Sequence, residues 1–255
     1  MAGLFASRSR DCEIRDASIS ELPQIRDLLV RANDSPYDIG TVAQEKCFGD
    51  GVSGPPRVRV YGDFAGVAVT CGKYLRVLAV DREYRGHGIG SALLEDSRAK
   101  VIAAEPGNYF TPGVIEPAFF LKREFRETRS TWNLVARLSA ARAAAPPPHS
   151  AMLAFVEQHF GRAWRFEAAR AKIAHYIPNV GFAVAEANNK GLGTFGPMGV
   201  AKKHRGKGYG RKLLLASLAD LGTDRVIIPW TDAIDFYRNA CGAEPAHRFA
   251  ILEKS

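Results

Sequence analysis

The sequence is short of sulfur, short of acid, and has no long apolar run. Its four cysteines, Cys12, Cys47, Cys71 and Cys241, are scattered without a Cys-x-x-Cys pair, so neither a disulfide framework nor a zinc site is expected. No stretch approaches the length of a membrane-spanning helix, which removes integral membrane proteins from the expectations. The opening Met1–Arg10 has too little apolar length before Arg8 and Arg10 for a secretory leader, so the expected compartment is the cytoplasm. Acidic side chains are outnumbered, 27 Asp and Glu against 35 Lys and Arg, for a formal charge of +8 and a pI of about 9.4. That balance suits a polyanionic ligand. It would equally suit nucleic acid, but zinc-finger spacing, RNP-like aromatics and any basic run beyond Lys202-Lys203-His204-Arg205 are missing, so nucleic acid is not the expected partner.

What the sequence does have, it has twice. The first copy reads Leu78-Ala79-Val80, four polar residues, then Arg85-Gly86-His87-Gly88-Ile89-Gly90-Ser91. The second reads Met198-Gly199-Val200-Ala201, three basic residues, then Arg205-Gly206-Lys207-Gly208-Tyr209-Gly210-Arg211. The arginines are 205 − 85 = 120 residues apart, about the length of one small domain. Alternating glycines at a strand-to-helix junction let backbone N–H groups converge and let a bulky anion approach the main chain. The helix that follows adds its unpaired amides and the positive end of its dipole. The chemistry expected of each copy is therefore recognition of a pyrophosphate or a similar anion. Gly-x-Gly-x-x-Gly would need glycine at Ser91 or Arg211, and a Walker loop would need it at Ala201, so neither of those nucleotide loops is present.

Around the two loops, patterning predicts a strand at Cys12–Arg15 and a helix from Ser18 to Arg31. Ser18 and Glu21 there have capping-box spacing, and Ile19, Leu22, Ile25, Leu28 and Leu29 form a stripe. A hairpin is expected over Arg57–Tyr61 and Ala65–Cys71, then a strand at Tyr74–Val80. The helix after the first loop is expected to turn Ile89, Leu93, Leu94, Val101 and Ile102 inward, and the one after the second Tyr209, Leu213, Leu214 and Leu218. A fifth strand is expected at Gly107–Thr111 and strand structure within Arg123–Arg137. Pro146-Pro147-Pro148 bar helix and central strand, so 139–150 is expected to link domains at 1–138 and 151–255. Beyond it, helices are expected at Met152–Phe160 and Trp164–Ile173. A hairpin over Gly181–Thr194 should turn at Asn188-Asn189-Lys190-Gly191, and Pro197 should mark a strand edge or splay. A strand at Arg225–Pro229 and a helix opening at Ala233, with Asp232 as its cap, complete the pattern.

Arg-x-x-Gly-x-Gly after a strand ending in valine resembles the acyl-CoA signature of the GNAT acetyltransferase superfamily: Arg85, Gly88 and Gly90 match it, as do Arg205, Gly208 and Gly210. The resemblance covers nearly the whole chain as a tandem pair, similar in layout to mycothiol synthase. It implies an α/β fold with a mixed α+β sheet in each of two acyl-CoA N-acyltransferase domains, acetyl-CoA as cofactor, and an amine of a small molecule, peptide or protein as acceptor. A monomer or homodimer is expected. In this family a helix with an Ala-x-x-Phe-Tyr setting carries the tyrosine that protonates the departing thiolate. Ala233-Ile234-Asp235-Phe236-Tyr237 matches, which makes Tyr237 the candidate general acid. The equivalent Pro117-Ala118-Phe119-Phe120-Leu121 has no hydroxyl, with Tyr109 the nearest tyrosine, so chemistry is expected in the second half. Trp230 stands where the family often has an asparagine. For the base, Glu157, His175 and Glu186 fall in the right half, and a relayed water is an alternative. Two other readings remain at this point: an acyl-CoA-binding sensor or scaffold without chemistry, and a nucleic-acid-associated protein using its basic surface.

Overall fold

Ser18 donates its backbone N–H to the Glu21 carboxylate at 2.9 Å, the reciprocal cap expected from their spacing. It starts a 3-10 turn, Ile19–Glu21, that runs into α1, Leu22–Ala32, after the short strand β1, Ile14–Asp16. The structure, a computed structural model, describes residues 13–35, 37–103, 113–138 and 147–255. Its contacts group into two compact units, Met1–Asp50 with Pro55–Lys100, and Gly51–Gly54 with Val101–Ser255.

In the first unit α1 buries Ile25, Leu28 and Leu29, while Ile19 is 53% exposed. The first turn is 3-10, and its side chains leave the α-helical stripe. A helix not anticipated from the sequence follows: α2, Ile39–Phe48, capped by Asp38, which accepts from the Thr41 amide at 3.1 Å. Its inward residues Val42, Ala43 and Cys47 are small and interrupted by Lys46, so no clear period marks it. Strands β2 (Arg57–Tyr61), β3 (Gly66–Cys71) and β4 (Tyr74–Val80) form the expected hairpin and its neighbour, in the antiparallel order β1-β2-β3-β4. Alternate residues Val58, Val60, Val67 and Val69 pack with α1 and α2 side chains into one core. Helix α3 is shorter than expected, Ile89–Ser97, because Arg98 takes a left-handed conformation (φ 53°) that ends it. Val101 and Ile102 are therefore strand, not helix face.

The second unit comprises β5 (Val101–Ile102), α4 (Ala118–Leu121), β6 (Arg126–Arg137), α5 (Ser150–Phe160), α6 (Arg162–Arg170), β7 (Ile173–Ile177), β8 (Gly181–Ala185), β9 (Phe195–Val200), α7 (Tyr209–Leu221), β10 (Arg225–Thr231), α8 (Ile234–Cys241) and β11 (Glu244–Glu253). One antiparallel set runs β5-β11-β6-β10 and another runs β7-β8-β9, so the fold is mixed α/β. Three expectations change here. Ile173 begins a strand instead of closing a helix. β7 and β8 form a hairpin of their own, and the expected one does close through Asn188–Gly191, but its second strand is β9, beginning at Phe195. The long closing strand β11 was not anticipated. The strand expected at Gly107–Thr111, with Tyr109, lies outside the described residues.

The compact units also part elsewhere than at 139–150. Strand β6 precedes the proline-rich stretch, yet it lies between β10 and β11, which follow that stretch. Hydrogen bonding thus ties residues 126–137 to the end of the chain, and the division falls between Lys100 and Val101. The second unit's cores join Leu134 and Ala136 of β6 to Leu213, Leu214, Leu218, Val226, Ile228 and Tyr237, and Phe155, Val156 and Ala168 to Phe182 and Val184. No helix of the described residues is long and apolar enough to cross a membrane.

Candidate functional site

The two glycine loops have the same backbone. After β4, Asp81 has φ −53° and ψ 137°; after β9, Ala201 has −54° and 138°. A 3-10 turn follows each, Arg82–Tyr84 and Lys202–His204, ending on Arg85 (−67°, 154°) and Arg205 (−65°, 157°). Gly86 and Gly206 come next at φ 82° and 76°, then Gly88 and Gly208 at 83° and 79°, which start α3 and α7. These left-handed values are what glycine adopts without a side-chain penalty. A Cβ at any of the four would meet no atom within 4 Å, so the space before the main chain is open. Helical bonding to Gly88 begins with the Ser91 and Ala92 amides, and to Gly208 with that of Lys212. The earlier amides, at Ile89 and Gly90 and at Tyr209 and Gly210, are the orphan donors of each helix start. His87 Nδ1 lies 2.9 Å from the Arg85 carbonyl, inside its own loop.

Each arginine braces its loop against the strand before it. Arg85 donates from Nε to the Val80 carbonyl at 3.1 Å, and Arg205 to that of Val200 at 3.0 Å. Beyond this the loops diverge. Arg85 also reaches the Ala32 carbonyl at 2.8 Å and the Asp34 carboxylate at 2.7 Å, and Arg82 binds the same carboxylate at 3.0 Å. The hydrogen bond from Arg85 holds the Asp34 carboxyl below its usual range, and that from Arg31 does the same for Asp81. In the second loop Lys202, Lys203, Arg205, Lys207, Arg211 and Lys212 carry no acidic partner among the described residues. His204 is pushed below its ordinary value, by desolvation first and then by Lys203 and Lys207.

The strand feeding the second loop has an open edge. β9 pairs with β8 on one side, and the Ala201 amide donates to Val180 at 2.8 Å. Antiparallel alternation therefore turns the Gly199 amide toward β8 and the amides of Met198 and Val200 away from it. On that far side β9 meets β10 only at the parallel bridge Thr194↔Ile227. No ladder pair joins them from there to Val200 and Thr231 among the described residues. In the first unit the Asp81 amide donates to Ala65 at 3.0 Å, so Ala79 faces β3 while Leu78 and Val80 aim their amides outward. Pro197 has a different role from the one expected. By the same alternation its missing donor lies on the β8 side, where the register shifts between Ala183 and Ala185, so the irregularity absorbs it.

Tyr237 sits on α8, buried with 8% exposure, its ring 6.2 Å from that of Phe195 on β9 and 5.0 Å from that of Phe236. Burial pushes its hydroxyl well above the usual tyrosine value, so the proton stays on Oη at neutral pH. Asp232 does not cap α8; the Thr231 hydroxyl accepts the Ala233 amide at 3.1 Å instead. The three base candidates have structural partners. Glu186 accepts from the Gly191 and Thr194 amides, His175 faces Asp220 at 2.8 Å, and Glu157 pairs with Arg165 at 3.0 Å. The stretch Pro117–Leu121 forms the single turn α4 with Phe120 buried. One residue that sequence reasoning missed reaches this region: Asn133 of β6, whose Oδ1 accepts the Trp230 N–H at 3.2 Å. No motif marks it, because its partner lies 97 residues away.

Residues 149–243 match the family described as Acetyltransferase (GNAT) family. No curated protein matches the chain in sequence. Among solved structures, the chain is similar to a glucosamine N-acetyltransferase region of a fungal multi-domain GH3 beta-N-acetylglucosaminidase (TM-score 0.70, 15% identity, 94% of this chain and 38% of that one). It is also similar to a GCN5-related N-acetyltransferase from Sphaerobacter thermophilus (0.61, 17%, 95% of each chain) and to a GNAT-family acetyltransferase from Colwellia psychrerythraea (0.61, 16%, 95% and 100%). At such identities the likeness is one of fold. The chain spans well under half of the fungal protein and nearly all of the two bacterial ones.

Proposed function

From a chain whose residues 149–243 carry the acetyltransferase (GNAT) family pattern, we propose an N-acetyltransferase that moves an acetyl group from acetyl-CoA to an amine of a small molecule or peptide. The chemistry belongs to the second half, and the chain is read as two GNAT-type halves in tandem. The single observation carrying this reading is the second loop: a strand with an open edge, a glycine turn with an open face, and a helix start, all within Phe195–Leu221 and flanked by cations that have no acidic partner among the described residues.

The residues fit the cofactor. The Gly206–Arg211 amides with the α7 N-terminus would hold its diphosphate, and Lys202, Lys203, Lys207 and Arg211 suit its further phosphate charge. Acetyl-CoA, when bound, supplies an acetyl group already activated as a thioester. The outward amides of Met198 and Val200 are placed to donate to an acyl oxygen in the gap beside β9, where fixed dipoles are most effective. Tyr237 holds a proton on Oη and is the group to deliver it to the leaving sulfur. The first copy keeps the loop, but the sequence after it has no hydroxyl at Pro117–Leu121, and Asp34 pairs with both of that loop's arginines, so the first copy is read as non-catalytic.

The test is acetyl-CoA turnover against a panel of amines, with free thiol measured, for the wild type and Gly208→Glu. Turnover that Gly208→Glu abolishes supports the reading. CoA binding without turnover on any amine would replace it with the sensor or scaffold reading.

A further inference from the structure

We infer that Asn133, contributed by a strand that precedes the proline-rich stretch in sequence, is a positioning residue for the second half's chemistry: it fixes the bend in β10 that aims α8 and Tyr237. This rests on the function proposed above. The bend is explicit in the pairing. β10 and β6 run in register from Arg225↔Arg137 to Ile228↔Leu134, and then the next pair is Thr231↔Trp132. The partner advances two residues while β10 advances three, so one residue is extra, which is a β-bulge. Within it Trp230 has φ 52°, a conformation unfavourable for a bulky side chain unless its surroundings impose it.

Those surroundings come from β6. Asn133 is fully buried, and its Oδ1 accepts the Trp230 N–H at 3.2 Å. That bond holds the amide at the residue where the bulge interrupts the ladder. Arg129, four residues earlier on the same strand, sets its guanidinium 5.3 Å from the Trp230 ring centre. The chain leaves the bend at Thr231, whose hydroxyl accepts the Ala233 amide at 3.1 Å, and α8 starts at once. Tyr237 lies seven residues past Trp230, one turn into that helix. A change in the bend tilts α8, and a tilt of α8 moves the Tyr237 hydroxyl relative to β9, where a misplacement of about 1 Å costs about 100-fold in rate.

The experiment uses the full chain with Asn133→Ala and Asn133→Asp, the latter keeping an oxygen acceptor of the same shape. Hydrogen exchange over residues 229–237 reports the bend whether or not the protein turns anything over. Asn133→Ala should speed exchange there at least tenfold while residues 209–221 of α7 keep their protection. In turnover it should lower kcat by about 10- to 100-fold with KM for acetyl-CoA within threefold, and Asn133→Asp should recover much of both. A purely structural role would lower the melting temperature and the active fraction but leave kcat per folded molecule unchanged, which would overturn the inference. So would unchanged exchange at 229–237 in a folded Asn133→Ala protein. If the wild type acetylates no amine, the proposed function falls, and the exchange result alone decides whether Asn133 holds the bend.

Discussion

Arg85 and Asp34 form an ion pair at 2.7 Å, on the arginine that braces the first glycine loop. Arg205, its counterpart 120 residues on, has no carboxylate beside it among the described residues. The two loops share their dihedral angles and differ in their charge. A fan of amides attracts a diphosphate in either loop, but the second adds more positive charge without an acidic partner among the described residues.

Titration with CoA should therefore fill the second loop first, with Gly208→Glu removing the tighter event and Gly88→Glu any weaker one. Asp34→Asn should tighten the weaker event several-fold at most, because exposed ion pairs are worth about 0–1 kcal/mol. Raising salt should weaken the tighter event more. Calorimetry at two ionic strengths checks this; equal affinities and equal salt slopes would contradict the asymmetry.

Tyr237→Phe should lower kcat by about 10²- to 10⁴-fold, the usual contribution of a positioned acid, with CoA affinity unchanged. The hydroxyl's raised value in the folded state also has a stability consequence. Below the unfolded value of 10.0 both states keep the proton and nothing is lost. Above it the unfolded chain ionises first, so stability falls as pH rises. Chemical denaturation from pH 8 to 11 should show a loss above about 10 that is smaller in the Phe variant. Identical slopes in the two proteins would contradict the burial.

Gly199 faces the ring of Phe160, where an added Cβ would lie 2.5 Å from two ring carbons. The ring cannot easily retreat, since it stacks on Trp164 at 5.1 Å and packs against Phe182 at 5.4 Å. Gly199→Ala should cost about 1–3 kcal/mol of overpacking, and Phe160→Leu in the same chain should relieve part of it. Thermal melts of the single and double variants check both; additive losses would contradict the contact.

Much of the candidate site was legible along the chain because it is local. The capping box at Ser18, the strand at Tyr74–Val80 and both arginine–glycine turns depend on residues within a dozen positions of one another. Elements whose partners are distant were missed or misread. α2 lacks a clear apolar period, β7 follows directly on a helical pattern, and Val101–Ile102 continue the α3 pattern past the point where Arg98 ends the helix.

By itself the sequence determined the repeated loop, since glycine at Gly86, Gly88, Gly206 and Gly208 and the arginine before each pair prescribe backbone angles without outside help. Only the tertiary structure decided that β6 lies between β10 and β11, that Tyr237 is buried against Phe195, and that Asn133 holds the bend at Trp230. Strand order and side-chain burial depend on groups about a hundred residues apart, and no local pattern of residues records which of many possible long-range pairings buries the most apolar surface while leaving no amide without an acceptor.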